Sequence, residues 1–348
     1  MNKTLWGTDG KGNDIFTYEI AGKGGMKVKV MDFGATVLEI HVPDKDGNDV
    51  DVALGYEKLE DYFTNDPYFG CCVVPSANRI GGAKFTLNGK EYSLDVNDGE
   101  NNLHSGFDSI CHKMWQVTDE KDDSITFVYD KKDMELKFPG NVHMEVTYSV
   151  SDDNELRIDY VANSDEDTVF NPTNHSYFNL GGHDSGNAMD QLVWINSKKF
   201  TETDPHSIPN GKLVEVAGTP MDFTTEKTLA QDIEADFNQL NWAGGYDHNY
   251  ALEGQEGEVR LAAYMRDVNT GIKMEVLTDL PGMQLYAGNY IPDGELVGKS
   301  GKAYVRRGGV AFESQYFPNA INIPDFSQPV LKAGIEKKTT TIYRFSAN

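Results

Sequence analysis

The sequence predicts an all-β fold, a large and mostly antiparallel β-sandwich with few short helices. Three observations lead to this prediction: many strand-length segments alternate apolar and polar residues, tight turns containing Asn-Gly or Asp-Gly join such segments, and helical patterns are scarce. No internal repeat, low-complexity tract or Pro/Ser-rich linker interrupts the 348 residues. Because large sandwiches often exceed the usual domain length, we expect one domain over residues 1–348.

The strand prediction is based on period-2 alternation. VHMEVTYSV (142–150) places Val, Met, Val, Tyr and Val on one side and His, Glu, Thr and Ser on the other. Such alternation is typical of a strand with one buried face and one face in water. The segments ELRIDYVAN (155–163), EVRLAAYMRD (258–267) and GIKMEVLTD (271–279) show the same pattern.

Two segments predict β-hairpins. KFTLNGKEYSL (84–94) alternates on both sides of Asn88-Gly89, a pair that suits a two-residue turn with positive φ. HVPDKDGNDVDVAL (41–54) repeats the arrangement around Asp46-Gly47.

Helices are predicted in two places. In TTEKTLAQDIEADFNQL (224–240), Leu229, Ile233 and Phe237 form an apolar stripe at i, i+4 and i+8. YEKLEDYF (56–63) is a shorter candidate.

Composition excludes several classes of function. A formal net charge of −24 argues against a nucleic-acid or anionic-membrane surface, since both need clustered Lys and Arg. No apolar run approaches the ~20 residues of a membrane span, and the N-terminal segment lacks the apolar run of a signal peptide. The three cysteines, Cys71, Cys72 and Cys111, form neither a disulfide framework nor a zinc-type spacing. We therefore expect a reduced cytoplasmic protein without a metal site.

Three histidines lie in turn-rich segments that suit a binding site: His104 in NNLHSG, His175 in FNPTNHSYFNLGG and His248 in GGYDHNY. The alternative for each is an ordinary polar loop residue. The remaining histidines carry no partner pattern, and His143 is expected on a solvated strand face; they are His41, His112, His143, His183 and His206.

Two charged residues also stand in unusual surroundings. Arg79, in VVPSANRIGG, could grip two ligand oxygens with its guanidinium fork, or could pair with one of the many acidic groups. Glu313 follows the apolar run Val310, Ala311 and Phe312, so a buried setting could raise its pKa toward that of a useful base. A purely structural buried glutamate is the alternative.

Taken together, six motifs resemble the aldose 1-epimerase (galactose mutarotase) family and occur in its order: ANRI (77–80), NNLHSG (101–106), NPTNHSYFNLGG (171–182), YDHNY (246–250), PGMQLYAGNY (281–290) and ESQYFPNAINIP (313–324). Three departures are present. Val74-Pro75-Ser76 stands where the family has a Gly-Arg, Ser105 replaces a glycine, and Ser314 replaces a threonine. The last two leave the neighbouring His104 and Glu313 in place, whereas the first alters the wall near Arg79.

The resemblance implies the galactose mutarotase-like sandwich and an isomerase that interconverts the α and β anomers of free hexoses such as galactose and glucose. It implies Glu313 as the base, His175 as the acid and His104 as an assisting imidazole. It further implies a set of substrate-binding residues, namely Asn78, Arg79, His104, Tyr177, Asp247 and Gln284. An imidazole titrates near neutrality and can both give and recover a proton, which suits such a reaction.

The implied chemistry needs no metal and no organic cofactor, because no electron or group leaves the sugar. The expected partner is a small monosaccharide, and the expected assembly is a monomer or homodimer.

Three alternatives remain open at this stage. A hexose-6-phosphate 1-epimerase of the same superfamily could use Arg306-Arg307 for its phosphate. A glycoside hydrolase could use Asp247 and Glu313 as its two carboxylates. A non-catalytic sugar-binding protein is the third.

Overall fold

Strands dominate the computed structural model, which describes residues 1–348. In chain order the first fourteen are β1 (Asn2–Thr8), β2 (Asp14–Ala21), β3 (Lys27–Met31), β4 (Thr36–Pro43), β5 (Asp49–Asp51), β6 (Cys72–Val73), β7 (Arg79–Ile80), β8 (Lys84–Leu87), β9 (Lys90–Ser93), β10 (Asn102–Leu103), β11 (Gln116–Glu120), β12 (Ser124–Lys131), β13 (Val142–Val150) and β14 (Glu155–Ser164). The other fourteen are β15 (Thr168–Val169), β16 (Thr173–Asn174), β17 (Tyr177–Phe178), β18 (Leu192–Ile195), β19 (Lys199–Thr203), β20 (Pro209–Glu215), β21 (Lys227–Thr228), β22 (Asp247–Ala251), β23 (Arg260–Arg266), β24 (Ile272–Thr278), β25 (Gly282–Tyr286), β26 (Val310–Gln315), β27 (Val330–Leu331) and β28 (Lys337–Ala347).

Helical structure is limited to one α-helix and a few single turns. The α-helix, α1, spans Asn238–Ala243. The 3-10 turns are Leu59–Phe63, Gly81–Ala83, Ile110–His112, Glu135–Lys137, Leu229–Gln231, Lys299–Gly301 and Ala320–Asn322. None of these helices has the length and the apolar character needed to cross a bilayer.

Three large sheets organise the strands. Their orders are β1-β2-β3-β4-β5, β11-β12-β13-β14-β28-β24-β23-β18-β21 and β17-β26-β25-β22-β19-β20. Neighbouring strands in all three sheets pair antiparallel. The predicted all-β, antiparallel class with few short helices is therefore confirmed.

The nine-stranded and six-stranded sheets pack face to face. The Tyr343 hydroxyl of β28 donates to the Phe312 carbonyl of β26 at 2.9 Å, and the rings of Phe178 and Tyr343 lie 4.8 Å apart. A continuous cluster of buried hydrophobic side chains includes residues from all three large sheets. The alternation predicted for 142–150 is observed, because the apolar residues of β13 are buried and the polar ones are only partly covered.

Both predicted hairpins form. Asn88 and Gly89 join β8 to β9 with φ values of 52° and 78°, as a tight two-residue turn requires. The turn at Asp46-Gly47 is longer, because the Asp44 carboxylate accepts hydrogen bonds from the backbone N–H groups of Asp46 and Asn48. Of the Asp46-Gly47 pair, only Gly47 has a positive φ there, 81°.

The helix predicted over 224–240 is wrong. That segment contains β21, a 3-10 turn and only the start of α1. Leu229 and Ile233 are buried and Phe237 packs against the core, so irregular backbone buries the same apolar residues that a helix would have buried. Tertiary packing here overrides a 3.6-residue pattern. The shorter candidate, 56–63, forms a 3-10 turn over its second part, Leu59–Phe63.

Candidate active site

A cavity of about 490 Å³ opens beside the six-stranded sheet and gathers most of the predicted residues. The predicted residues that line it are Asn78, Arg79, His104, His175, Tyr177, Asp247 and Glu313. They come from five separate parts of the chain, so only the tertiary fold brings them together.

Strand register places Glu313 and Asp247, which both line the cavity, on one face of the six-stranded sheet. Glu313 on β26 pairs with Gln284 on β25, which pairs with Asn249 on β22. Directly opposed residues of antiparallel strands share a face, so these three side chains form one row across the sheet. Asp247 and Tyr286, opposite each other two residues along, form the next row on that face.

His175 is held by backbone hydrogen bonds on both sides of its peptide. Its N–H donates to the Cys71 carbonyl at 2.9 Å, and its own carbonyl accepts the Gly70 N–H at 3.0 Å. The neighbouring Asn174 amide donates to the Gly70 carbonyl and accepts from Ser176. The asparagines around the histidine thus bind backbone groups that a loop would otherwise leave unpaired.

Asn171 ties the same segment to Tyr316, the residue directly after the strand β26 that carries Glu313. Its side chain accepts the Tyr316 N–H at 2.7 Å and donates to the Tyr316 carbonyl at 3.3 Å. The segment rich in Asn, Pro and Gly therefore places His175 at a defined position relative to Glu313.

The loops that carry His104 and Asn78 contact each other through left-handed backbone, with φ of 47° at His104 and 56° at Asn78. The Asn78 N–H donates to His104 Nδ1 at 3.2 Å. Since Nδ1 accepts this bond, the neutral ring carries its proton on Nε2. Burial, with the charges of His175 and Arg79, holds the pKa of His104 well below its usual value, so the ring stays neutral.

Glu313 and His175 form the central pair. His175 Nε2 lies 3.6 Å from Glu313 Oε2, and both side chains are almost fully buried. Burial raises the pKa of Glu313 to about 8, with Asp247 adding to the rise and Arg79 opposing it. Burial lowers the pKa of His175 to about 4. Glu313 Oε2 and His175 Nδ1 have no hydrogen-bond partner within the protein, and both residues line the cavity.

Arg79 pairs with acidic groups, which is one of the two interpretations of its sequence context, and it also lines the cavity. Its Nε donates to the Asp98 carboxylate at 2.8 Å, and its Nη1 lies 3.8 Å from Asp247 Oδ2. Asp98 was missed by sequence reasoning, since nothing in its local segment marks it. Gln284 does not line the cavity; its amide donates to Asp247 Oδ1 at 2.6 Å.

Aromatic rings surround the imidazoles. The Tyr68 ring lies 4.7 Å from that of His104, and the Tyr177 ring lies 5.0 Å from that of His175. The Tyr177 hydroxyl donates to the Pro67 carbonyl, which fixes the ring against the cavity wall. Tyr286 and Tyr290 could have been found, because they lie in the segment 281–290 that carried the resemblance. Tyr68 had no comparable signal.

Comparison with known proteins identifies the family. A sequence profile of the family described as aldose 1-epimerase matches residues 17–344. The chain belongs to the aldose 1-epimerase family. It is 37% identical over 321 residues to galactose mutarotase from Bos taurus, covering 92% of this chain and 91% of the relative. It is 32% identical over 325 residues to aldose 1-epimerase from Escherichia coli strain K12, covering 93% of each.

Solved structures of the aldose 1-epimerase family share the fold. Galactose 1-epimerase from Lactobacillus acidophilus NCFM aligns with a TM-score of 0.86 at 26% identity, covering 100% of this chain and 98% of that one. An aldose epimerase homologue from C. elegans aligns with a TM-score of 0.87 at 26% identity, covering 95% and 98%. The predicted family and the predicted isomerase class are confirmed, and family membership implies a monosaccharide substrate.

One group of side chains in this family site has the composition of a metal site. Ligand atoms of His104, His175 and Glu313 all lie within 4.8 Å of one another. His104 does not suit a metal, however, because the Asn78 N–H occupies its Nδ1 and the proton on Nε2 leaves no free lone pair there. The donor chemistry of this trio fits proton transfer better than metal coordination.

Besides Gln284, three residues that the sequence singled out lie outside the cavity, namely His248, Arg306 and Arg307. His248 is on the opposite face of β22 from its neighbour Asp247, and its Nδ1 accepts the Asp247 N–H at 3.1 Å. Arg306 and Arg307 both donate to the Gly244 carbonyl, at 3.1 and 2.9 Å, and Arg307 also pairs with Glu234. Neither arginine is among the cavity-lining residues.

Proposed function

We propose that this member of the aldose 1-epimerase family interconverts the α and β anomers of free hexoses, galactose and glucose among them, through the open-chain aldehyde. The observation that carries the proposal is the buried Glu313–His175 pair in the cavity, with a 3.6 Å separation and unpaired polar atoms on both residues. A reaction that moves one proton onto a sugar oxygen and another off it needs such a pair.

In the first half of the reaction, the Glu313 carboxylate accepts the proton of the C1 hydroxyl, and His175 donates a proton to the ring oxygen. The bond between C1 and the ring oxygen breaks, and C1 becomes an aldehyde carbon. After rotation about C1–C2, the hydroxyl formed from the former ring oxygen attacks the other face of the aldehyde. Glu313 then returns its proton to the C1 oxygen and His175 recovers its own, so no atom or charge is gained or lost.

The protonation state of the pair suits this exchange. Between the pKa of His175, about 4, and that of Glu313, about 8, the two groups together hold one proton. In the resting state that proton is on Glu313. In the reactive state it is on His175, which leaves an imidazolium and a carboxylate. An internal shift on sugar binding therefore prepares the acid and the base without any exchange with solvent.

The surrounding groups hold the sugar for this step. His104, neutral with its proton on Nε2, supplies a hydrogen-bond donor next to His175, whose ring centre is 5.2 Å away. Asn78, Arg79 and Asp247 line the same cavity and offer donors and acceptors for ring hydroxyls. Tyr177, with the other rings, excludes water from the reacting atoms.

Polarimetry tests the proposal. Freshly dissolved α-D-galactose and α-D-glucose should approach their equilibrium rotations faster with the protein than in buffer alone. Heat-denatured protein is the matched control, because buffer ions also catalyse mutarotation. Rates equal to the control for both sugars would remove the proposed activity.

A further inference from the structure

Three buried side-chain amides, those of Gln284, Asn249 and Gln315, lie beside Asp247 on the same face of the six-stranded sheet, outside the cavity. Gln315 Nε2 donates to Gln284 Oε1 and to Asn249 Oδ1, both at 3.3 Å, and Gln284 Nε2 donates to Asp247 Oδ1 at 2.6 Å. All three amides are buried, Gln315 completely. Burying side-chain amides costs free energy unless their polar groups are paired. Packing alone therefore does not explain this series of hydrogen-bonded amides.

The Asp247 carboxylate determines the direction in which the amides donate their hydrogen bonds. An ionised carboxylate only accepts, so the nitrogen of the Gln284 amide must face Asp247 and its oxygen must face away. That oxygen then needs a donor, which Gln315 provides. At the end of the series away from Asp247, Gln315 Oε1 and Asn249 Nδ2 have no partner, so no group there fixes the orientation of the amides. The amides are therefore aligned toward Asp247.

The backbone makes room for this arrangement. Gly282 stands opposite Gln315 on β25, and a Cβ at residue 282 would lie 2.5 Å from Asn249 Oδ1. Its conformation does not require glycine, since no positive φ is found there. The missing side chain at Gly282 therefore leaves room for the Asn249 amide, which Gln315 contacts, and for the Phe317 ring, whose Cδ1 would lie 2.7 Å from that Cβ.

We propose that Gln315, which does not touch the cavity, is a positioning residue: it locks the Gln284 amide in the orientation that holds the Asp247 carboxylate ready for sugar hydroxyls. This inference rests on the proposed function and adds a residue that acts on substrate binding through two others. Asp247 keeps its second oxygen, Oδ2, free of Gln284 and near Arg79 Nη1. A released Gln284 amide could turn its oxygen toward the carboxylate and repel it.

The test compares Gln315→Met with the wild-type protein by polarimetry over a range of sugar concentrations. Losing one orienting hydrogen bond should raise KM by about 3- to 10-fold, with kcat changed by less than about twofold, because Glu313 and His175 are untouched. Gln284→Met should raise KM at least as much. The double variant should resemble Gln284→Met alone, since Gln315 acts only through that amide.

Two further variants separate positioning from general stability. Gln315→Asn keeps the amide but shortens its reach, and it should raise KM in the same way with a milder effect on folding. Gln239→Met is the matched control: this buried glutamine bonds Thr203 on another strand of the same sheet and does not contact Asp247. It should lower Tm while leaving KM unchanged.

The outcomes are distinguishable. If the wild-type protein shows no mutarotation, the proposed function fails and this inference fails with it. If the wild type is active, the inference alone is overturned by any of three results: an unchanged KM in both Gln315 variants, a loss confined to kcat, or KM effects of Gln315→Met and Gln284→Met that multiply in the double variant.

Discussion

Glu313→Gln keeps the shape of the side chain and removes its ability to accept a proton. A positioned acid or base contributes about 10²- to 10⁴-fold to a rate, which corresponds to roughly 3–5.5 kcal/mol of barrier. Glu313 is almost fully buried and pairs at 3.6 Å with His175, so water cannot easily replace it as the base. We expect kcat to fall by about that range, whereas the sugar still binds.

The structure also predicts how the pH profile should change. Above a pH of about 8, Glu313 loses the only proton that the central pair holds, and no acid remains for the ring oxygen. In the wild-type protein, kcat/KM should therefore be level between the pKa of His175, about 4, and that of Glu313, about 8, and should fall on the alkaline side. The alkaline limb should disappear in Glu313→Gln.

The assay is polarimetry of α-D-galactose from acid to alkaline pH, corrected for buffer catalysis, with circular dichroism to verify folding. His175→Asn should reduce kcat to a similar extent. Because both residues act in one proton-transfer sequence, the double variant should lose much less than the product of the single losses.

Near-normal kcat in folded Glu313→Gln, or an alkaline limb that remains at the same pH, would refute this reasoning. The base would then be another residue of the cavity. Asp247 is the next candidate, because it lines the cavity and its carboxylate is held by Gln284.

Three further predictions concern stability, binding and specificity. Burial raises the pKa of Glu313 from 4.5, its value in the unfolded chain, to about 8 in the folded protein. Between these two pH values Glu313 ionises only in the unfolded chain, so the stability of the folded protein falls as pH rises. Glu313→Gln should therefore have a higher Tm than wild type at pH 8 and nearly the same Tm at pH 4; a pH-independent difference would contradict this. Arg79→Lys removes the planar fork that bonds Asp98 and faces the cavity, so kcat/KM should fall while calorimetry shows little change in Tm; the reverse pattern would indicate a purely structural ion pair. Glucose should have a higher kcat/KM than glucose 6-phosphate, because Arg306 and Arg307 are bonded to the Gly244 carbonyl and do not line the cavity; a preference for the phosphate, measured by the same assay, would refute the substrate assignment.

Local patterns in the sequence were sufficient for the class of fold. Alternation over 142–150 became β13, and Asn88-Gly89 became a two-residue turn, because both features depend on residues within a few positions of one another. The helix predicted over 224–240 was wrong because that prediction also used only the local pattern, whereas the backbone there depends on distant residues. The apolar pattern of Leu229, Ile233 and Phe237 correctly indicated which residues pack into the core. Long-range packing, however, decided which backbone conformation buries them.

For the site, the sequence by itself determined which residue types are available and which short motifs carry them, including His104, His175 and Glu313. Only the tertiary structure decided their neighbours: antiparallel register put Gln284 beside Glu313, and its amide reaches Asp247 instead of the cavity. The pKa values of Glu313 and His175 were also decided there, since desolvation depends on atoms from distant segments that close over the pair. A linear pattern cannot encode such burial, because the chain segments that exclude water from the site are joined only by folding.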